Sequence, residues 1–514
     1  MSSITDSNTR FGHPKGLFYL FFAELWERFS FYGMKALLIL YMTKQLLFSD
    51  DMSIGIFAAY MSLVYVTPVL GGIIADHYIG YRKAIFLGGI LMALGHFFLT
   101  IELPVFFYGS LALIIVGNGF FKPNISTFVG ALYKEEDKRR DSGFTIFYMG
   151  INIGGAVAPL LCAWFAEVYG WHYGFMLAGI GMLLGLFYFY RGTTKNVFLN
   201  KGKVPDENIY NEKFLGLNKG QLVWLGAFLA VPVFALIVKF NQYEHYIVWI
   251  ATIAITATMI YIYRSVGTIA RKRLLVTAYF TILMSLFWAI FEQAGSSLTL
   301  FADRNINLVG LNAAQTNSIN SGFIILLAIP FSWLWAVLIR KKKNPNSAIK
   351  AGLGLFLLGL GFIVFAMSAN SVDSFAKTPM WYLFVGYFIL TVGELCISPI
   401  GLSKMTELSP KKYLAFVMGV FFSASFYGHF FAGKIAKLTT VSEEENLFAS
   451  GIFGQITETV TGLTSTFSGS NQAAFEQLYQ YVSVYAVFGV LTAVIGIIVM
   501  MISPFIKKLM SGVH

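Results

Sequence analysis

Apolar runs of about 20 residues recur along the whole chain, and that recurrence constrains the fold more than any other feature. Fourteen can be read, from the first near 16–44 to the last near 476–505. A hydrocarbon core about 30 Å thick demands one such run per crossing. Within it every backbone N–H and C=O must be paired inside its own helix. Composition agrees, since 57% of the 514 residues are hydrophobic and 12% are charged, about half the charged share of a soluble domain. The sequence therefore predicts an all-α integral membrane fold with no large soluble domain. The polar start up to Lys15 leads into a run too long and too charged for a cleavable leader. Cys162 and Cys396 both lie in apolar runs, which leaves no disulfide framework and assigns both to packing.

The net charge of +11 would suit nucleic acid, but its distribution does not. Of the 37 Lys and Arg, 28 fall in loops on one side, 6 on the other and 3 within helices. This asymmetry predicts that the basic side, and with it both termini, is cytoplasmic. Lys138-Arg139-Arg140, Arg271-Lys272-Arg273 and Arg340-Lys341-Lys342-Lys343 then read as cytoplasmic anchors. The runs group as six, two and six: a first bundle over 1–190, a linker with two additional helices over 191–270, and a second bundle over 271–514. A two-half plan of this kind sets a solute site between the halves near mid-membrane. The two central helices carry few ionisable residues and are expected outside the pathway. Segment 439–475, rich in Ser, Thr and Gly and holding Glu443-Glu444-Glu445, is expected to be a solvated outer loop.

Charges inside a membrane helix cost about 2.5–3.5 kcal/mol each and mark pathways. The first run holds Glu24, Glu27, Arg28 and Lys35. At about 100° per residue they share one face, with Tyr32 beside them. A stripe of four ionisable groups cannot face lipid; it lines a wet cavity or pairs with partners, the plainer alternative being ion pairs that only join helices. The fourth run places Lys122 before Pro123, which kinks the helix. Lys122 is the natural counter-ion for Glu24 or Glu27. Two carboxylates against Arg28 and Lys122 form a cluster whose pairing changes when one proton binds, which is what coupling proton entry to a conformational change requires.

Glu292, in Trp288-Ala289-Ile290-Phe291-Glu292-Gln293, is a second proton carrier by the same reasoning. Glu394 and Ser398 are i, i+4 neighbours beside Pro399. A buried glutamate with no basic residue in its own run suits an amino group or a proton. Tyr148 and Asn152 are again i, i+4, and Gly150 with Gly154 forms a small-xxx-small pair that permits close helix approach. Asn320, alone in its run, reads as packing, and His96 and His429 read as hydrogen-bonded structural histidines. Asp76-His77-Tyr78-Ile79-Gly80-Tyr81-Arg82-Lys83 makes a tight turn between two helices.

Together these motifs resemble the proton-dependent oligopeptide transporter family of the major facilitator superfamily, in its bacterial form, over nearly the whole chain. Glu24-Leu25-Trp26-Glu27-Arg28-Phe29 matches its ExxERF motif, residues 71–83 its first signature and residues 147–154 its second. Phe121-Lys122-Pro123-Asn124 and Gly393-Glu394-Leu395-Cys396 match as well. The resemblance implies the major facilitator fold, two six-helix bundles plus two extra central helices, fourteen in all. It further implies that Glu24, Glu27, Arg28, Lys122 and Glu292 couple protons, and that Glu394, with Asn152 and Asn320, holds a peptide amino-terminus. Lys35 would stand near the peptide carboxylate, Tyr32, Tyr65 and Tyr148 would line the cavity, and Trp288 and Ser398 would lie nearby. Lys35 and Glu292 would gate the outer side, Phe144 and Leu402 the inner. The chain departs from the family pattern at Lys35, where arginine is commoner, at Ala58, where some members carry histidine, at Phe421 for tryptophan and at His429 for asparagine.

The expectation is a symporter, not an enzyme, of the cell inner membrane. It would import di- and tripeptides with protons by alternating access, and would need the lipid bilayer but no cofactor, metal, nucleic acid or obligate protein partner. A related proton-coupled symporter of another small anion or amino-acid-like solute remains open on sequence, as does a receptor or proton channel without turnover.

Overall fold

The computed structural model describes residues 9–134, 136–137, 139–214, 216–397, 400–440, 447–467 and 471–510, with the side chains at 400–403 and 415 set aside. Among the described residues, fourteen long helices follow the order of the fourteen apolar runs. They are α1 (Lys15–Leu40), α2 (Asp50–Ile74), α3 (Gly80–Phe98), α4 (Pro104–Ala131), α5 (Arg140–Tyr169), α6 (Trp171–Thr194), α7 (Lys219–Lys239), α8 (Glu244–Ser265), α9 (Thr268–Phe291), α10 (Ser318–Arg340), α11 (Ser347–Met367), α12 (Trp381–Ile397), α13 (Leu414–Lys437) and α14 (Gln472–Met501). Most are long and apolar enough to cross a membrane; α1 is more highly charged and α12 is shorter, at 17 residues. The chain is a multi-pass membrane protein.

Residue contacts divide the chain into two compact units, Met1–Tyr41 with Leu63–Asn241, and Met42–Ser62 with Gln242–His514. In the first unit α1 packs on α5 and α6, and α3 packs on α4 and α6. Contact between α1 and α5 depends on glycine. A Cβ on Gly154 would lie 2.6 Å from the Leu25 carbonyl oxygen and 2.9 Å from the Phe29 nitrogen, so no side chain fits there. The cysteine assignment holds for Cys162, which is buried and fills the space beside Gly33. α7 covers an apolar cluster of Ala75, Leu87, Leu91 and Phe120 through Ala227, Val223 and Trp224.

The turn after α2 is locked by the loop that follows α6. Gly80 adopts φ +71°, and a Cβ there would lie 2.2 Å from the Lys203 carbonyl oxygen. Arg82 donates from Nε to the Lys201 carbonyl at 2.8 Å and from Nη2 to the Leu199 carbonyl at 2.6 Å. Phe198, buried, packs its ring on Phe128 and Phe189. Three short strand pairs sit at the ends of helices: β1 (Thr9–Arg10) with β2 (His13–Pro14), β3 (Lys213–Phe214) with β4 (Leu217–Asn218), both antiparallel, and β5 (Ile306–Asn307) parallel to β6 (Thr378–Pro379).

In the second unit α11 packs on α14 and α12, and α9 on α13. The near half of α2 groups here. Asp50 accepts from both Nη atoms of Arg304, Lys437 Nζ donates to Asp51 Oδ2 at 2.7 Å, and Ala58 presses on Gly433. The run expected near 273–302 is not one helix. α9 stops at Phe291, a turn covers Glu292–Gly295, and a short helix spans Ser297–Asn305. Side chains tie the interruption down: Gln293 Nε2 donates to the Ala289 carbonyl at 3.1 Å and to the Ala432 carbonyl of α13 at 2.9 Å, and Thr299 Oγ1 to the Ala294 carbonyl at 2.7 Å. The segment expected as a solvated loop also differs, because Gly451–Thr461 is a helix packed on α14. Phe453 and Ile456 recur on one face of it and, with buried Phe448, close on Val484 and Val487. Glu443, Glu444 and Glu445 lie outside the described residues.

Candidate functional site

α1 carries its charges into the first unit's interior. Glu24 and Glu27 are fully buried and Arg28 nearly so. Arg28 donates from Nε and Nη2 to both oxygens of Glu27, each at 2.5 Å, a bidentate fork. Its guanidinium also lies over the rings of Phe31 and Tyr32, at 4.9 and 5.8 Å from their centroids. Lys122, on α4, donates to Glu24 Oε1, and Arg28 Nε stands 3.7 Å from the same oxygen. Glu24 Oε2 is buried with no hydrogen-bond partner among the described residues. Four charges thus interlock, with one carboxylate saturated and the other half-used. Lys122 directly precedes Pro123 inside α4, and Gly154 lets the backbones of α1 and α5 approach closely.

The other first-unit candidates lie on α1, α2, α3 and α5. Lys35 lies two turns further along α1 and is buried. On α5, Asn152 Nδ2 donates back to the Tyr148 carbonyl at 3.0 Å, while the Tyr148 side chain is half-exposed. Tyr65 on α2 is partly buried, and Phe144 on α5 closes on Gly130 of α4. His96 is a hydrogen-bonded histidine, with Nε2 2.5 Å from Ser30 Oγ.

In the second unit Glu394 is buried on α12, where Gly393 lets that helix meet the backbone of α11 at Gly354. Its Oε2 accepts from Asn320 Nδ2 at 3.0 Å, and Asn320 also donates to Thr391 Oγ1 at 3.0 Å. Asn320 is therefore a polar partner of Glu394, where the lone amide had read as packing. Trp288 stands edge-on to Phe287 and Phe291 on α9. Glu292 follows at the helix end, buried, with Oε2 3.4 Å from Nε2 of His429 on α13. His429 Nδ1 contacts the Ser425 carbonyl at 2.8 Å, and the Nε2 side of the ring faces the carboxylate. Ser398 lies outside the described residues; Leu402 belongs to the helix Ile400–Leu408, but its side chain lies outside them too.

Two polar features escaped the sequence reading. Glu244, at the start of α8, is buried although the central helices read as nearly charge-free. Arg304 with Asp50 and Tyr481 OH (3.1 Å) forms a second partly buried ion cluster. An acidic residue opening an apolar run, and an arginine two helical turns after the break at Ser296–Ser297, were the available signals. Among the described residues no group of three or more His, Cys, Asp or Glu is placed to hold a metal ion.

Comparison with known proteins follows the same lines. The family model for the POT family matches residues 82–457. The peptide transporter YePEPT of Yersinia enterocolitica is 39% identical across 83% of this chain and 88% of its own length. The uncharacterized transporter YclF of Bacillus subtilis is 34% identical across 98% of this chain and 96% of its own. A crystal structure of a mutant peptide transporter POT in complex with alafosfalin superposes with a TM-score of 0.80 at 33% identity, covering 98% of this chain and 97% of that one. Helix order, buried charges and relatives converge, and the chain belongs to the POT family, the proton-dependent oligopeptide transporters.

Proposed function

We propose that this protein is a proton-coupled symporter that imports di- and tripeptides by alternating access. It works in the cell inner membrane with both termini cytoplasmic. The observation that carries the reading is the buried cluster of Glu24, Glu27, Arg28 and Lys122. Desolvated charges persist only when mutually paired, so removing one charge by protonation redistributes the remaining bonds. Glu24 has an oxygen available for a proton, and Glu27 gives up its fork to Arg28 if it takes one. Glu394, held by the neutral amide of Asn320, offers a carboxylate to a peptide ammonium. Lys35 offers an ammonium to the peptide carboxylate. Tyr32, Tyr65, Tyr148, Asn152, Trp288 and Ser398 complete the substrate set, with Glu292 as a further proton carrier and Phe144 and Leu402 as inner gate. The names of the relatives YePEPT and peptide transporter POT support a peptide substrate, and the Lys and Arg asymmetry supports the orientation.

The test is Glu27→Gln in proteoliposomes. The substitution keeps the shape and removes the ionisable group. Gradient-driven peptide accumulation should vanish while counterflow exchange of peptide persists. Concentrative uptake at the wild-type level would remove Glu27 from the coupling, and absence of peptide counterflow in the wild type would remove the peptide-carrier reading itself.

A further inference from the structure

Helix α8 stands off from the bundle it belongs to. Among its 22 residues only Glu244, Val248 and Ile262 are buried. Ile262 packs on Leu274 and Val417 at one end, and Ser265 Oγ meets Tyr413 OH at 3.2 Å. Nearer the other end, Thr252 Oγ1 meets Tyr427 OH at 2.9 Å, a polar tether to α13. The space between α8, α9 and α13 is a crevice of about 950 Å³, lined by Trp249, Met259, Leu275, Ile282, Val420 and Phe431 among others.

The chemistry of the walls says what fills it. Four of the hydroxyls that line it are engaged with their own helices, and the Tyr427 hydroxyl meets Thr252. Thr252 donates to the Val248 carbonyl at 2.7 Å, Thr281 to Thr277 at 2.9 Å, Ser285 to Thr281 at 2.9 Å and Ser423 to Val420 at 2.6 Å. Water therefore gains few hydrogen bonds there, and an empty volume of that size forfeits the dispersion contacts of its whole lining. From His245 to Tyr263 the crevice runs about 27 Å at 1.5 Å per residue, close to the hydrocarbon thickness of about 30 Å. A lysine and an arginine mark the two ends. Lys434 and His245 line one mouth, with the Lys434 ammonium 5.4 Å from the Phe430 ring centroid. Arg271 lies 5.4 Å over Tyr263 at the other.

We propose that this crevice is a phospholipid site: acyl chain lies between α8, α9 and α13, and the phosphate is held at Lys434 and His245. The site is separate from the transport residues and does not depend on the transport reading. Its test is native mass spectrometry of protein passed through detergent exchange and then titrated with phosphatidylglycerol. Wild type should keep phospholipid through the exchange. Ala278→Trp, which fills the crevice from α9, should lose it, and Thr256→Trp from α8 should do the same if the first variant fails to elute as a folded species. Lys434→Ala should weaken phosphatidylglycerol binding roughly 5-fold, the effect of one lysine at a headgroup. Equal lipid retention by a folded crevice-filling variant overturns the site. Unchanged affinity in Lys434→Ala, or equal competition by a neutral alkyl detergent, overturns the phosphate contact and with it the phospholipid as occupant.

Discussion

Replacing Glu394 by glutamine isolates the charge from the shape of the site. In the structure Oε2 of Glu394 accepts from Asn320 Nδ2 at 3.0 Å. A glutamine oxygen accepts the same bond, so Asn320 and Thr391 need not move. What disappears is the negative charge offered to a peptide ammonium. A hydrogen bond to a charged group contributes about 1.5–3 kcal/mol. The burial of Glu394 places the expected loss in the upper part of that range, roughly 40- to 150-fold in affinity. An N-acetylated dipeptide has no ammonium and should lose no more than about twofold on the same background. The assay is competition of each ligand against a labelled dipeptide in counterflow, with wild type and Glu394→Gln in parallel liposomes. The difference between the two ligands' losses is the coupling free energy between carboxylate and amino group. Losses that are equal for both ligands, whatever their size, would refute the contact and leave Glu394 a structural residue.

Gly154→Ala forces a Cβ within 2.6 Å of the Leu25 carbonyl oxygen, so it should lower stability by about 1–3 kcal/mol, read as a fall in melting temperature in detergent; an unchanged melt contradicts the close approach. Lys122→Gln removes the cation that Glu24 Oε1 accepts from and should cost more stability than Lys404→Gln, whose exposed pair with Glu407 contributes at most about 1 kcal/mol. Equal melts for the two variants would count against the cluster. Reporter fusions after Lys195 and after Thr464 should give cytoplasmic and external signals respectively, and the reverse pattern removes the proposed orientation. The Asp137 carboxyl is pulled down to about 2 by hydrogen bonds from Arg139, below its ordinary 3.8. Whatever it stabilises is present above the ordinary value and lost only as pH falls through about 2, so Asp137→Asn should leave the uptake profile between about pH 5 and 8 unchanged.

What could be read from the sequence was what membrane physics makes costly. Charges at Glu24, Glu27, Arg28 and Lys122 stand out because lipid penalises them, and helical geometry alone puts the first three on one face. Their partition into a fork and a shared oxygen was not legible, since it depends on how α4 registers against α1. The order of the fourteen helices followed from apolar length, whereas the break between Phe291 and Ser297 did not. That stretch is a short polar interval between apolar flanks, and Gln293 ties it to the Ala432 carbonyl of α13, far away in sequence. The pairs Glu394 with Asn320 and Glu292 with His429 escaped for the same reason, because each joins helices whose register against one another no local pattern records. The helix at Gly451–Thr461 was hidden by Ser, Thr and Gly around it, although Phe453 and Ile456 already showed its apolar face.

The lock between Arg82 and the loop at Leu199–Lys201 bears on how the chain is made. Residues enter the membrane from the amino end as the ribosome supplies them, and packed regions form in that order. When α6 has been inserted, the turn at Gly80 still lacks the carbonyls that Arg82 binds, and Phe128 still lacks the ring of Phe198. These groups leave the ribosome only afterwards. The first six helices can therefore assemble but not seal, and the polar loop after them acts as a clasp fitted from the cytoplasmic face of the proposed topology. A ribosome paused within that loop would leave the half-built protein loosest at the turn between α2 and α3.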